Sequence, residues 1–237
     1  MIQQFEECEH LLERQARMRL QVTLDFLAEL SRDNSKVWFD AHHADYAQAR
    51  AAFEDLIAAL IVALRATEDL GALTPKECMF RINRDLRFSH DKSPYHTQMT
   101  AAIGPGGRVG QGRSYFLRIA GGDSFVASGL FAPEPTELEN LRQQLVLDAQ
   151  PLRAIVADPV FIDYFGTLRG ETVKTAPKGF DRAHPAIDLL RHKQFLAIHR
   201  LSDQQLREVD IVEQIVAACA AMRPFLDYLV AASAPPS

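Results

Sequence analysis

Sixteen consecutive residues, Arg81-Ile82-Asn83-Arg84-Asp85-Leu86-Arg87-Phe88-Ser89-His90-Asp91-Lys92-Ser93-Pro94-Tyr95-His96, hold the densest chemistry of the chain: four cations, two acids, a tyrosine and two histidines. A stretch that only filled a core would not carry so many groups with large desolvation costs. Arginine presents a planar fork of donors that suits carboxylate and phosphate. Arg81, Arg84, Arg87 and Lys92 therefore form a candidate anion-binding set, with Asp85 and Asp91 placed to orient the forks. Histidine titrates near neutrality, so His96 is a candidate acid or base beside that set, and Tyr95 a candidate proton donor. The same residues also read as an ion-pair lattice pinning a long loop. A third reading is a nucleic-acid module, with cations on backbone phosphates and Tyr95 or Phe88 stacked on a base.

A second basic cluster comprises Lys174, Lys178, Arg182, His184, Arg191, His192 and Lys193. Pro177-Lys178-Gly179-Phe180 reads as a rigid exposed turn, and Asp181 lies three residues before His184, the third acid–base candidate. If the clusters meet, they make one electropositive pocket lined by Tyr95, Phe180 and Phe88, because a cleft focuses the field of its charges. Otherwise Lys178 and its neighbours are a solvated basic face.

Other patterns carry less. Ser89-His90-Asp91-Lys92 fits the Ser-x-x-Lys of some acyl-serine enzymes, but Pro94 follows at once and the companion motifs are absent. His42 and His43 are adjacent, so on a helix they diverge by about 100 degrees and do not share an ion. No metal is expected, and no cofactor motif appears. Glycines 104, 106, 107, 110 and 112 fit neither a dinucleotide fingerprint nor a phosphate loop, although Arg108 and Arg113 beside them are in reach of a ligand. Trp38 and Phe39 read as core anchors rather than a stacking platform.

Phe80-Arg81-Ile82, Arg84-Asp85-Leu86-Arg87-Phe88-Ser89 and Asp91-Lys92-Ser93-Pro94-Tyr95 together resemble the signature of an uncharacterised family, domain of unknown function 2461. Trp38-Phe39-Asp40 with Tyr46, then Gly129-Leu130-Phe131, then Pro177-Lys178-Gly179-Phe180-Asp181 with His184-Pro185, match in the same order. The resemblance runs over roughly residues 22 to 225 and implies a shared fold; it assigns no reaction. His90 and His96 stand where that pattern has lysine, so a role needing a permanent charge does not carry over to them.

The chain has 237 residues, 47% hydrophobic, and a net charge of −5, enough for a sizeable core. The acidic total argues against a nucleic-acid partner, while a local basic patch on an acidic body still suits one small anionic ligand. Cysteines 8, 78 and 219 are odd in number and far apart, which fits free thiols in a reducing cytoplasm. No leader pattern opens the sequence, and no uninterrupted apolar run reaches the roughly 18 residues of a span, so neither secretion nor a membrane is expected.

Leu20, Leu24, Leu27 and Leu30 recur at helical spacing and predict a helix over 5–31. Phe39, Tyr46, Phe53, Leu56, Ile57, Leu60 and Leu64 predict a second helix over 36–66. From residue 79 the period shifts toward two, predicting strands near 79–83, 97–103, 114–120 and 124–131. Helices follow near 136–149, 151–157, 159–166 and 185–192. A last helix is expected from Ser202, with Gln205 completing a capping box, to about Met222, with a kink or restart at Pro224. The expectation is an α+β fold: N-terminal helices, an antiparallel four-stranded meander and C-terminal helices. Its divisions are an N-terminal extension over 1–21, one domain over 22–232 and a disordered tail over 233–237. The function expected first is an electropositive pocket for a phosphate- or carboxylate-bearing small molecule, with Arg81, Arg84, Asp85, Arg87, Asp91, Lys92 and Lys178 binding and Tyr95, His96 and His184 moving protons.

Overall fold

The computed structural model describes residues 20–85, 87, 92–110 and 113–235. The candidate Asp91, and residues 5–19 of the helix expected over 5–31, lie outside the described residues. The protein is α+β, with a four-stranded antiparallel sheet in the order β1-β2-β3-β4. The strands are β1 (Met99–Ile103), β2 (Tyr115–Ile119), β3 (Ser124–Leu130) and β4 (Phe195–Leu201).

Three of these were anticipated. The fourth is Phe195–Leu201, and the expected strand at 79–83 is instead two isolated bridges, Met79 with Ala101 and Asn83 with Tyr95. The alternation at 79–83 is real, but the backbone changes partner midway. Phe80 N–H donates to Thr100 O at 2.9 Å, and four residues later Arg84 N–H donates to Pro94 O at 2.9 Å. Proline has no N–H to continue that ladder.

The described residues form two compact units, and the chain passes between them inside β2, β3, β4 and the last helix. The first unit contains the described residues to 110, with 116–126 and 200–216. It opens on α1, helical from 20 to 32, whose Leu20, Leu24, Leu27 and Leu30 are buried at three- and four-residue steps. Ser35 starts α2 (Lys36–Ala41), its hydroxyl accepting the Trp38 N–H at 3.1 Å. The helix expected over 36–66 breaks at His42, and α3 runs from His43 to Leu64. The His42 N–H is shared between the carbonyls of Trp38 and Phe39, and its ring Nδ1 lies 2.8 Å from the same Trp38 oxygen. That competition for one acceptor disturbs the helical ladder. The ring stacks on Trp38 at 4.0 Å, so it serves packing. α3 buries Phe53, Ile57, Leu60 and Leu64 and packs on β1 and the short α4 (Pro75–Cys78). Ser124 Oγ accepts from Ala120 N and donates to Ala120 O, closing the β2–β3 turn.

The second unit contains residues 113–115, 127–199 and 217–235. Its helices are α5 (Pro135–Leu147), α6 (Gln150–Ala157), α7 (Pro159–Phe165) and α8 (Ile187–Leu190). Proline at or next to the first helical position opens α5, α6 and α7, where a missing N–H costs nothing. Phe161 meets Phe165 at 5.0 Å and Phe225 at 5.6 Å, edge to face, in the core of this unit.

The last helix begins later than expected. Ser202 and Gln205 do form a capping box, but it closes a 3-10 turn at Gln205–Arg207, and α9 runs from Ile211 to Ser233 without restarting at Pro224. By length and composition alone α9 could cross a membrane, with a mean hydropathy of 1.5. Its buried residues Ile211, Ile215, Cys219, Met222, Leu226 and Leu229 recur at three- and four-residue steps, the pattern of a core helix.

Candidate functional site

The arginine segment of the first unit is a loop with a closed neck. Arg84 N–H donates to Pro94 O, His96 N–H donates to Ile82 O at 2.7 Å, and Asn83 bridges Tyr95. Asn34, in the connection between α1 and α2, locks the neck: its amide Nδ2 donates to Tyr95 O at 3.0 Å and its Oδ1 accepts the Tyr95 N–H at 3.1 Å. The Tyr95 ring is buried and stacks on Phe39 at 3.9 Å, 14° from parallel. Its observed position is therefore that of an anchor within the aromatic cluster of Phe26, Trp38, Phe39 and Tyr46.

At and around the neck, Arg81, Arg87 and Lys92 are exposed, and Arg84 and His96 are half-buried. Asp85 accepts from the Arg87 backbone N–H at 3.1 Å, from Nε at 3.0 Å and from Nη2 at 2.6 Å. Those bonds hold the Asp85 carboxyl below the usual carboxylate range and raise the Arg87 guanidinium. Both groups are exposed, so the pair shapes the loop more than it stabilises the fold. Burial lowers the His96 pKa, and the guanidinium charges of Arg84 and Arg81 lower it further. A neutral imidazole beside two guanidinium groups can accept a proton from a bound anionic molecule.

Lys178 and His184 belong to the second unit. His184 Nδ1 accepts the Ala186 N–H at 3.1 Å, which leaves the neutral ring's proton on Nε2 and supports the turn into α8. Lys178 is exposed and lines a cleft of about 580 Å³ together with Phe131, Leu138, Arg142, Glu171 and Lys193. A second cleft in this unit, between α6, α7 and α9, is lined by Ile155, Val160, Phe161, Ala220 and Pro224 with Asp158 as its only charged side chain.

The loop arginines outside these places have structural partners. Arg108 Nη1 donates to the carbonyls of Lys76, Glu77 and Met79 at 2.6, 3.3 and 3.1 Å, completing the end of α4. Arg113 pairs with Asp227. Cys78 and Cys219 are buried free thiols, and burial pushes the Cys78 thiol up to about 11. Among the described residues, no group of three His, Cys, Asp or Glu side chains is placed to hold a metal ion.

Two contributors were missed in the sequence. Asn34 stands 61 residues from the backbone it clamps, and an Asn-Ser pair between helices reads as a turn. Arg142 lies one turn from Leu138 and beside Leu141 and Leu145, an arginine bordering an apolar stripe, which is the signal that was available. The α+β fold and the ordered segments around the arginine loop place the chain in a family: it belongs to the conserved hypothetical protein family DUF2461, which matches residues 22–228. No curated protein and no solved structure matches it.

Proposed function

We propose that the Arg81–His96 loop of the first unit binds a small phosphate- or carboxylate-bearing molecule, with His96 as the proton acceptor beside it. The carrying observation is the neck. Paired backbone bonds and the Asn34 clamp hold Arg81, Arg84 and His96 close enough that both guanidinium charges act on the imidazole. A rigid backbone that assembles like charges creates a local positive field, and a bound anion relieves their mutual repulsion. The buried free thiols Cys78 and Cys219 fit a reducing, cytoplasmic setting for such a protein.

Calorimetric titration of the full chain with inorganic phosphate and with citrate tests this reading. Saturable binding of one of them, weakened at least about tenfold in Arg84→Gln, supports it. Absence of heat from both, or equal affinity in the variant, overturns it.

The forked Asp85–Arg87 pair favours a second reading, in which the loop is a structural ion-pair lattice. Arg87→Ala separates the two. Anion binding predicts a large loss of phosphate affinity at nearly constant melting temperature, because the lost contact is to the anion while the neck bonds remain. A structural lattice predicts the reverse.

A further inference from the structure

The cleft of the second unit is a built site that the loop reading does not use. Two glycines let its walls close. Gly129 has φ 132°, and a Cβ there would lie 2.0 Å from Phe195 O; Gly170 has φ 135°, and a Cβ there would lie 2.2 Å from Gln194 O. These approaches bring Phe131 and Glu171 against the chain at 193–195. Gln194 ties the walls together, its Nε2 donating to Phe131 O at 2.7 Å and its Oε1 accepting the Glu171 N–H at 3.2 Å. Lys193 is held by Glu171 at 2.5 Å.

Arg142 is the fixed cation of this cleft. Its Nε donates to Leu190 O and its Nη2 to His192 O, both at 3.0 Å, which locks the guanidinium plane. Nη1 makes no hydrogen bond among the described residues. Lys178 on the facing Pro177 turn makes no ion pair among the described residues. Phe131, Leu138 and Pro177 supply an apolar wall.

We propose that this cleft binds a small organic monoanion, a carboxylate carried on an apolar body. Arg142 and Lys178 take the carboxylate, and the apolar body lies against Phe131 and Leu138. The lining charges set the valence: Arg142, Lys178 and Lys193 against Glu139 and Glu171 give three minus two, or one net positive charge. A dianionic phosphate would meet both glutamates. The volume, about 580 Å³, falls in the range of small-ligand pockets, roughly 300–1,000 Å³. This inference does not rest on the first-unit reading.

The test is an NMR titration of the isotope-labelled full chain with benzoate, benzyl alcohol and inorganic phosphate as probes. Benzoate is expected to give saturable shifts at Arg142, Lys178 and Phe131, tighter than either other probe. Lys178→Gln and Arg142→Gln are each expected to weaken benzoate at least about tenfold, and Arg84→Gln to leave it unchanged. Lys178 is exposed, so its variant decides the matter even if loss of the Arg142 bonds to Leu190 and His192 unfolds the chain. Benzyl alcohol or phosphate binding here as tightly as benzoate, no saturation by benzoate, or unaltered affinity in Lys178→Gln overturns the proposal. So does a tenfold loss in Arg84→Gln, which would move the benzoate site to the loop.

Discussion

The side chain of Asn34 satisfies both backbone polar groups of Tyr95, donating to its carbonyl and accepting from its N–H across 61 residues of sequence. An amide can do both at once through two separate atoms, since it carries a donor and an acceptor on the same carbon. The clamp lets the loop between Asn83 and Tyr95 carry several charges on a fixed base. It also couples the Phe39–Tyr95 ring stack to the position of His96, the next residue.

Asn34→Ala removes both bonds. At about 1 kcal/mol each, the expected loss is about 2 kcal/mol in urea denaturation. Asn34→Asp keeps the acceptor alone and is expected to lose about half as much at neutral pH. An alanine variant as stable as the parent would show that the neck holds itself closed without Asn34.

Gly129→Ala is expected to cost more than about 2 kcal/mol, because the left-handed backbone strain adds to a clash with Phe195 O. Gly121→Ala is the control, since nothing lies within 4 Å of its Cβ position. Urea midpoints that fall equally in the two variants would contradict the close approach at Gly129.

Stability should fall as the solution is acidified below the ordinary histidine pKa of about 6.5. His96 and His192 both titrate below that value in the folded chain, burial being the first cause for each. Between the folded and unfolded values the unfolded chain binds more protons, so stability drops with falling pH and levels off once the folded histidines are protonated as well. His96→Gln is expected to flatten the slope of unfolding free energy between about pH 6.5 and the folded value, leaving the His192 share. A slope unchanged by that substitution would mean His96 is not depressed.

Much of the fold was legible, and the exceptions have physical causes. Phe53, Leu56, Ile57, Leu60 and Leu64 recur at helical spacing, so α3 announced itself; His42 interrupted it through a side-chain contact that no propensity encodes. Phe195-Leu196-Ala197-Ile198 is a continuous apolar run, which fits a buried strand or a helix equally well, and so β4 went unread. In the arginine loop, residue types alone pointed to Arg81, Arg84, Arg87 and Lys92. The neck that fixes them depends on Asn34 and Ile82, whose parts are set by tertiary pairing. Lys178 was legible as an exposed cation, but nothing local ties it to its cleft partners: Arg142 showed only as an arginine bordering an apolar stripe, and Glu171 comes from a loop.

The proton equilibrium of His96, followed by NMR of its ring with and without saturating inorganic phosphate, bears most directly on the anion-binding loop. Without phosphate the ring should titrate below about 6.5, because burial, Arg84 and Arg81 all disfavour its charged form. With phosphate bound, the added negative charge should raise the His96 pKa, and by linkage phosphate affinity should increase as pH falls through the titration. A His96 titration that is the same in both conditions would contradict an anion held beside it.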